Sequence, residues 1–367
     1  MNKWVIAVHC GAGYHSPRNV SKHNEIMSTA CRAAAKLLTE KKHYDACTKD
    51  LSVEAVSLAI SILEDCDFTN AGLGSNLTLK GSVECDASIV SGLFQGLFGS
   101  VGGVMGVQNP IHLAKEILYD VRRGMGALGR VKPLMLVGRG AWEYCLTQPH
   151  CGYIPVAKSE AQLEGYLVSD RAKRIWQNHM NRLKKVQNLD EDVAYDTVGA
   201  ICMDPFGNVC AGVSSGGISL KHEGRVGQAA IYGTGCWAEQ KNNFRFACSC
   251  TGVGEDIMYN RISERCSQYL YSASDNESDE ESEGVYLDTC LSQVLSVEES
   301  PLLPDHSSRN VGILALHAYD SKSIELAWGY TTRSMAIGYM SSSTREAISF
   351  VSNNNSLLNT QVGVTSI

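Results

Sequence analysis

The stretch from Thr197 to Ser214 constrains the fold more than any other part of the sequence. Thr197 to Met203 is a strand-like apolar run, Pro205-Phe206-Gly207-Asn208 is typical of a turn, and Val209 to Ser214 is a second strand-like run. The spacing predicts a β-hairpin. Five further runs of strand-like composition predict that this hairpin belongs to a larger sheet: 3–8, 83–89, 101–107, 312–317 and 324–330.

Helical periodicity follows the first of these runs. Apolar residues recur at helical spacing from Ile26 to Leu37 and from Leu51 to Ile62, and Asp50 is a candidate N-cap of the second helix. A third helix is predicted from His112 to Val121. A chain of 367 residues allows two domains or one large α/β or α+β domain, and its 44% of apolar residues are enough for a sizeable core.

Charge and targeting signals narrow the function classes. The formal net charge is −7, so the chain as a whole has no field that would recruit nucleic acid or an anionic membrane. The apolar run from Val5 to Val8 is too short for a signal peptide, and no run reaches the roughly 18 apolar residues of a membrane span. We therefore expect a soluble intracellular protein whose 14 cysteines are small buried thiols rather than disulfides or zinc ligands.

Two segments depart from the average composition. Residues 159–192 are long, polar and basic, which is typical either of a solvated helix face or of a two-part nuclear import signal. Residues 275–283 are almost entirely acidic or small and polar, which predicts a surface insertion without fixed structure.

Short glycine-containing blocks surround the hairpin in a fixed order. They are His9–Gly13, Asn70–Gly74, Tyr195–Ala200, Val213–Gly217, Gly224–Gln228, Gly235–Trp237 and Cys248–Glu255. In this order and spacing, the chain from about residue 4 to 340 resembles the type-2 asparaginase family of amino-terminal-nucleophile (Ntn) hydrolases, with Cys10 where that family usually has a small residue. Four blocks look like its endopeptidase branch, the threonine aspartases (taspases): Gly13–Ser16, Glu84–Ile89, Gly235–Glu239 and Gly338–Ser341.

The resemblance implies a fold and a way of activation. The fold would be α+β, a four-layer αββα sandwich, with residues 1–367 in one domain. The precursor would cut itself between Asp196 and Thr197 into an α segment, 1–196, with the basic helical tail 159–192, and a β segment, 197–367. Thr197 would then carry both the nucleophilic hydroxyl and, as its free α-amine with a reference pKa of about 7.7–8.0, the base that activates it.

The resemblance also implies the supporting residues. Ser215 matches a second hydroxyl that orients Thr197, and Thr251 and Gly252 match the pair that stabilises the oxyanion. Asn70 matches a loop asparagine near the nucleophile, although a plain turn residue is the alternative. Gly254 matches a position whose backbone lines the substrate site.

Arg225 and Gln228 bear on the substrate. Asparaginases of this type hold the substrate α-carboxylate with the arginine and the α-ammonium with an aspartate three residues later. Gln228 replaces that aspartate, and a glutamine cannot neutralise a desolvated ammonium. An aspartate inside a peptide has a backbone N–H at that point, and its side chain could bind the arginine fork. The pair favours cleavage after an internal aspartate.

The implied function is an autoprocessed threonine endopeptidase of the nucleus and cytoplasm. Its substrates would be nuclear proteins such as trithorax-like chromatin regulators and the precursor of a general transcription factor. The alternatives are an L-asparaginase or isoaspartyl dipeptidase, and a catalytically idle relative that acts by binding. No catalytic metal or organic cofactor, no direct nucleic-acid contact and no membrane is expected. The loop 64–73 is compatible with a structural monovalent ion, and the processed αβ heterodimers would associate as (αβ)2.

Overall fold

The structure is a computed structural model that describes residues 3–40, 50–94, 96–185, 197–275, 286–296, 310–319, 323–354 and 360–367. Asp196, residues 186–192 of the basic segment and residues 276–283 of the acidic insertion lie outside the described residues. The predictions made for those residues are therefore not tested by the fold.

The described residues form thirteen strands and eight helices. The strands are β1 (Val5–Gly13), β2 (Cys85–Ser91), β3 (Leu97–Val104), β4 (Met135–Val137), β5 (Val198–Met203), β6 (Val209–Ser215), β7 (Cys236–Lys241), β8 (Phe244–Gly252), β9 (Val311–Tyr319), β10 (Ser323–Tyr330), β11 (Ser334–Ser341), β12 (Ile348–Asn353) and β13 (Gln361–Ser366). The helices are α1 (Val20–Glu40), α2 (Leu51–Glu64), α3 (Pro110–Arg122), α4 (Gly138–Thr147), α5 (Asp170–Lys184), α6 (Gly254–Asn260), α7 (Ile262–Asp275) and α8 (Leu287–Leu295).

The strands form two sheets. The first has eight strands in the order β12-β11-β1-β5-β6-β2-β3-β4, and the second has five in the order β13-β10-β9-β8-β7. The predicted hairpin is β5–β6, in which Val198 pairs with Ser214. Its turn is closed by Asp204, whose Oδ1 accepts hydrogen bonds from the backbone N–H groups of Phe206 at 2.8 Å and Asn208 at 2.9 Å.

Four layers result because the strands at the centre of each sheet are apolar on both faces. In β1, Ile6 and Val8 belong to the core formed with α1, α2 and α3, whereas Val5 and Ala7 belong to the core between the sheets. In β9, Leu314 lies between the sheets while Ile313 lies in the core under α7 and α8. Burial of both faces explains why these strands are continuous apolar runs. The α+β fold and the αββα sandwich are confirmed.

Local predictions differ from the structure mainly at element ends. Asp50 does cap α2, since its Oδ1 accepts from Ser52 N–H at 2.9 Å. The strand predicted over 101–107 is instead β3, which ends at Val104 because the chain turns at Gly106, with φ +72°. Among its described residues, the basic segment contains a short 3-10 helix, Glu160–Gln162, and α5, where Lys173, Arg174 and Lys184 are exposed, as expected of a solvated face.

Two further expectations concern membranes and cysteines. Within the described ranges, no helix combines the length and apolar character needed to cross a bilayer. The 13 cysteines described there are all free thiols, and all except Cys66 are buried. Burial raises the pKa of the Cys85 thiol to about 11, so it stays a neutral packing residue near pH 7.

Candidate active site

Thr197 lies directly before β5, in the middle of the first sheet, and is buried. Its hydroxyl Oγ1 donates to Ser215 Oγ at 3.0 Å. The same Oγ1 accepts from Gln228 Nε2 at 3.3 Å. The hydroxyl thus has its proton directed at one side chain and a lone pair at another, an arrangement that fixes its rotamer.

Ser215 reaches Thr197 because of the hairpin register. Ser215 is the last residue of β6, and the pairing of Val198 with Ser214 sets the preceding and following residues side by side. Its Oγ also accepts from the backbone N–H of Gly217 at 3.0 Å. The hydroxyl that is predicted to orient the nucleophile is therefore held by the turn that follows its own strand.

His9 binds the backbone of the same residue. Its Nδ1 lies 3.1 Å from the Thr197 carbonyl oxygen, and its Nε2 lies 2.9 Å from Ser249 Oγ. A carbonyl can only accept, so the ring proton is on Nδ1. Ser249 Oγ, which faces Nε2, also donates to the Gly212 carbonyl at 3.1 Å. Burial lowers the pKa of His9 to about 3, which keeps the ring neutral. Gly199 is required beside it, because a Cβ there would collide with the ring and with Ser249.

A pair of His9 variants tests whether this contact places the nucleophile. His9→Asn can keep a donor near the Nδ1 position, whereas His9→Gln keeps a polar group only near the Nε2 position. We expect about a tenfold larger loss of kcat for the glutamine variant, with little change in KM, since only placement of Thr197 is affected.

The pH profile of the same variants identifies the base. Because burial lowers the pKa of His9 to about 3, the rise of kcat/KM with pH should follow the Thr197 amine, whose reference pKa is about 7.7–8.0. This should hold for the wild type and for both His9 variants. Stopped assays between pH 5 and 9, with melting temperatures as the folding control, give both readouts. A profile whose midpoint moves with the His9 substitution would instead make the imidazole the base.

Asn70 supports the turn beside Thr197. Its Nδ2 donates to the Gly217 carbonyl at 2.9 Å, its Oδ1 accepts from Asn76 N–H at 2.8 Å, and its own carbonyl accepts from Gly216 N–H at 2.8 Å. Asn70 thus contributes more than the plain turn of the alternative reading, because it joins two loops that line the same cleft.

Thr251 and Gly252 are the last two residues of β8, where the second sheet packs against the hairpin β5–β6. Gly252 lines the cleft, and its φ of +122° is a conformation that residues with a side chain rarely adopt. A Cβ at that position would collide with the Asn310 carbonyl. Thr251 is fully buried behind it and is not part of the cleft wall.

Arg225 is already paired in the structure. Its Nε and Nη2 donate to Glu255 Oε1 at 2.9 and 2.8 Å, and Nη2 also lies 2.7 Å from Oε2. The sequence led us to expect this fork to be open for a substrate carboxylate, and in this respect the structure differs. The reason is local: Gly254 has no side chain to separate Arg225 from α6, whose second residue is Glu255.

The turn that carries Arg225 and Gln228 is held from behind by Asp86. The Asp86 carboxylate accepts from the backbone N–H groups of Gly103 and Gly227, each at 2.8 Å. Asp86 is fully buried, and burial raises its pKa, an effect that the nearby cations of Lys221 and Arg225 oppose. This buried carboxylate fixes the backbone of the residue that precedes Gln228.

A cleft of about 210 Å³ brings these residues together. Seven of the eight described residues predicted for the site line it: Asn70, Thr197, Ser215, Arg225, Gln228, Gly252 and Gly254. Gly217 and Ile218 also line it, and these two, with His9, Asp86 and Glu255, are not among the residues predicted from sequence. All but Ile218 lie inside the blocks quoted above, so block membership is the signal that could have found them.

A second, larger cavity adjoins the segment 221–225 at Glu223. It measures about 1650 Å³ and its walls include Leu77, Glu84, Trp176 and Glu223. Glu84 Oε2 accepts from Gly224 N–H at 2.8 Å, so the cavity adjoins the turn that carries Arg225.

Comparison with known proteins assigns the family. The family model described as asparaginase (Asparaginase_2) matches residues 2–282. An isoaspartyl peptidase of Salmonella typhimurium is 32% identical over 261 residues, 70% of this chain and 75% of that protein. An isoaspartyl peptidase/L-asparaginase of Xenopus laevis is 34% identical over 70% of this chain and 72% of that protein. A plant-type L-asparaginase of Pyrococcus abyssi is 32% identical over 68% of this chain and 74% of that protein. The chain therefore belongs to the type-2 asparaginase family of Ntn hydrolases.

Proposed function

We propose that the chain activates itself by cutting between Asp196 and Thr197 and then cleaves polypeptides after an internal aspartate, as the threonine aspartases do. One observation carries the proposal: a neutral side chain, Gln228, donates to the hydroxyl of Thr197 where asparaginases of this type have an aspartate. Among the described residues that line the cleft, Arg225 is the charged one and none is a carboxylate, so this part of the wall is suited to an anionic side chain rather than to a free α-ammonium.

The proposed chemistry uses Thr197 and the residues that line the cleft around it. The freed α-amine of Thr197 takes the hydroxyl proton, Oγ1 attacks the aspartyl carbonyl carbon, and the oxyanion forms beside Gly252. Collapse of this intermediate breaks the C–N bond, and the leaving amine takes the proton from the α-ammonium. Water then hydrolyses the acyl ester on Oγ1 with the same amine as base, which releases the aspartyl product and restores Thr197.

The surface beside the cleft is suited to a polypeptide substrate. When an aspartyl side chain occupies the cleft at Arg225, the flanking residues of a polypeptide run across neighbouring surface. The larger cavity next to Gly224 offers such a surface, with the apolar Leu77 and Trp176 and the acidic Glu84 and Glu223 in its walls. A free amino acid would have no use for it.

Hydrolysis of free asparagine or of β-aspartyl dipeptides is the second candidate. The names of the three relatives reported above favour it, since each is an isoaspartyl peptidase, an asparaginase or both. Arg225, which such enzymes need for the substrate α-carboxylate, is present. Against this candidate stands Gln228, because an ammonium desolvated beside a neutral amide is left uncompensated.

Four substrates separate the candidates. They are a peptide with an internal aspartate, the same peptide with asparagine there, free asparagine, and a β-aspartyl dipeptide. We expect kcat/KM for the aspartyl peptide to exceed that for free asparagine and for the β-aspartyl dipeptide by about 100-fold or more, as estimated for an unpaired buried charge. The asparaginyl peptide should be cut more slowly than the aspartyl peptide, because its neutral side chain cannot pair with Arg225. Release of new amino termini, measured by mass spectrometry, gives the rate and the cut site. Turnover of only the last two substrates would establish the second candidate.

We further propose the substrates, assembly, location and ion content of the mature enzyme. Substrates would be nuclear regulators, the mature enzyme an (αβ)2 assembly in nucleus and cytoplasm, and no organic cofactor would be needed. A monovalent ion could bind near Gly74, which lies against the carbonyl oxygens of Cys66, Asp67 and Thr69, and these oxygens are suitable ligands for such an ion. One of them, Asp67 O, already accepts from Arg171 Nη1 at 3.2 Å, so an ion there would share its ligand with α5.

A further inference from the structure

The ion pair between Arg225 and Glu255 occupies half of the guanidinium. A guanidinium offers carboxylates two edges, Nε with Nη2 and Nη1 with Nη2. Glu255 takes the first edge through contacts of 2.7–2.9 Å. Nη1 is packed between two turns, so that a Cβ at Gly217 or Gly227 would lie 3.0 or 2.8 Å from it. The guanidinium is therefore fixed in place, and the group that can move is Glu255.

The exposed fractions of the two side chains also indicate that Arg225 is fixed and that Glu255 is the group that moves. The Arg225 side chain is 14% exposed and lines the cleft, whereas the Glu255 side chain is 42% exposed and is not part of the cleft wall. An ion pair whose carboxylate has this much contact to water contributes little free energy, so Glu255 can leave the arginine at small cost. Arg225, by contrast, would lose its counter-ion in a partly buried position unless another anion replaced it.

We propose that Glu255 is an internal counter-ion, which occupies the position of the substrate carboxylate on Arg225 and is displaced when an anionic substrate binds. The exchange swaps one carboxylate for another, so Arg225 is never left unpaired. A neutral carboxamide cannot make this exchange. Glu255 thereby sets the affinity for the carboxylate and, by returning, helps the anionic product to leave.

The proposal rests on the proposed function in one respect, that a substrate carboxylate binds Arg225. Succinate is a probe that carries this group and needs no turnover. We expect Glu255→Gln and Glu255→Ala to bind succinate about three- to fivefold more tightly than the wild type, the upper range for an exposed ion pair. Succinamide, the neutral diamide, should bind all three proteins equally.

The control is Glu25→Gln, which removes an exposed carboxylate on α1, outside both the cleft and the larger cavity. Calorimetric titration of the mature enzyme measures the affinity of each protein for each probe, and kinetics with the aspartyl peptide should show a KM that falls by the same factor in the Glu255 variants. Unchanged or weaker succinate binding after Glu255→Gln would overturn the proposal, and so would an equal rise in affinity in Glu25→Gln or no succinate binding at all. Tighter succinate binding by an enzyme that leaves aspartyl peptides intact would reject the proposed function and keep the counter-ion.

Discussion

Thr197→Ala should remain a single chain of 39.8 kDa, whereas the wild type should separate into two fragments, one of which begins with Thr197. The substitution removes the hydroxyl that donates to Ser215 at 3.0 Å and accepts from Gln228 at 3.3 Å. Loss of a hydroxyl nucleophile costs on the order of 10⁶-fold in rate, so activity on peptides should fall to background.

Intact-mass spectrometry after refolding and incubation measures this outcome. Thr197→Ser keeps the hydroxyl and should cut itself, although more slowly, because the methyl group that packs the rotamer is absent. Thr147→Ala, at an exposed threonine on α4, is the control and should process like the wild type. Processing of Thr197→Ala at the wild-type rate would remove Thr197 from the mechanism. A wild type that stays whole would favour the idle relative.

The parts of the fold that could be predicted are those fixed by neighbours in sequence. The hairpin β5–β6 follows from two apolar runs and one turn, and the N-cap at Asp50 follows from a single residue. The pairing of β1 with β11 joins residues more than 300 positions apart, and nothing local encodes it. Strand runs also predict a sheet without saying which sheet, so the second layer was implied only by the family resemblance.

In the candidate site, too, features set by neighbours in sequence could be predicted and features set by distant contacts could not. Thr197, Ser215 and Gly252 could be predicted by the resemblance, because each lies in a short block that matches the family by position, and each lies at or directly beside the end of a strand. The bond between Arg225 and Glu255 could not, since it depends on how α6 sits against the Arg225 turn. Glu64 is a further example: the sequence places it in a loop, whereas it ends α2, where burial raises its pKa to about 8 and its Oε1 accepts from Ser214, the neighbour of Ser215.

Gln228→Asp should redirect the enzyme from peptides toward free amino acids. The glutamine is buried and donates to Thr197 Oγ1, while a carboxylate there can only accept. It would remove a hydrogen bond from the nucleophile, raise the pKa of the nearby α-amine and repel the aspartyl carboxylate of the substrate. We expect kcat/KM for the aspartyl peptide to fall by on the order of 100-fold.

The same carboxylate could pair with the α-ammonium of free asparagine or a β-aspartyl dipeptide, with Arg225 holding the α-carboxylate. Hydrolysis of these substrates should therefore rise above that of the wild type. Gln228→Asn is the matched control, because it has the size of aspartate and no charge, so it should lose peptide activity without gaining the new one. Equal behaviour of the two variants would mean that the contact with Thr197, rather than charge, is what Gln228 contributes. If instead Gln228→Asp still prefers aspartyl peptides, the selectivity must be set outside this cleft, and the cavity beside Gly224 is then the part of the surface on which to locate it.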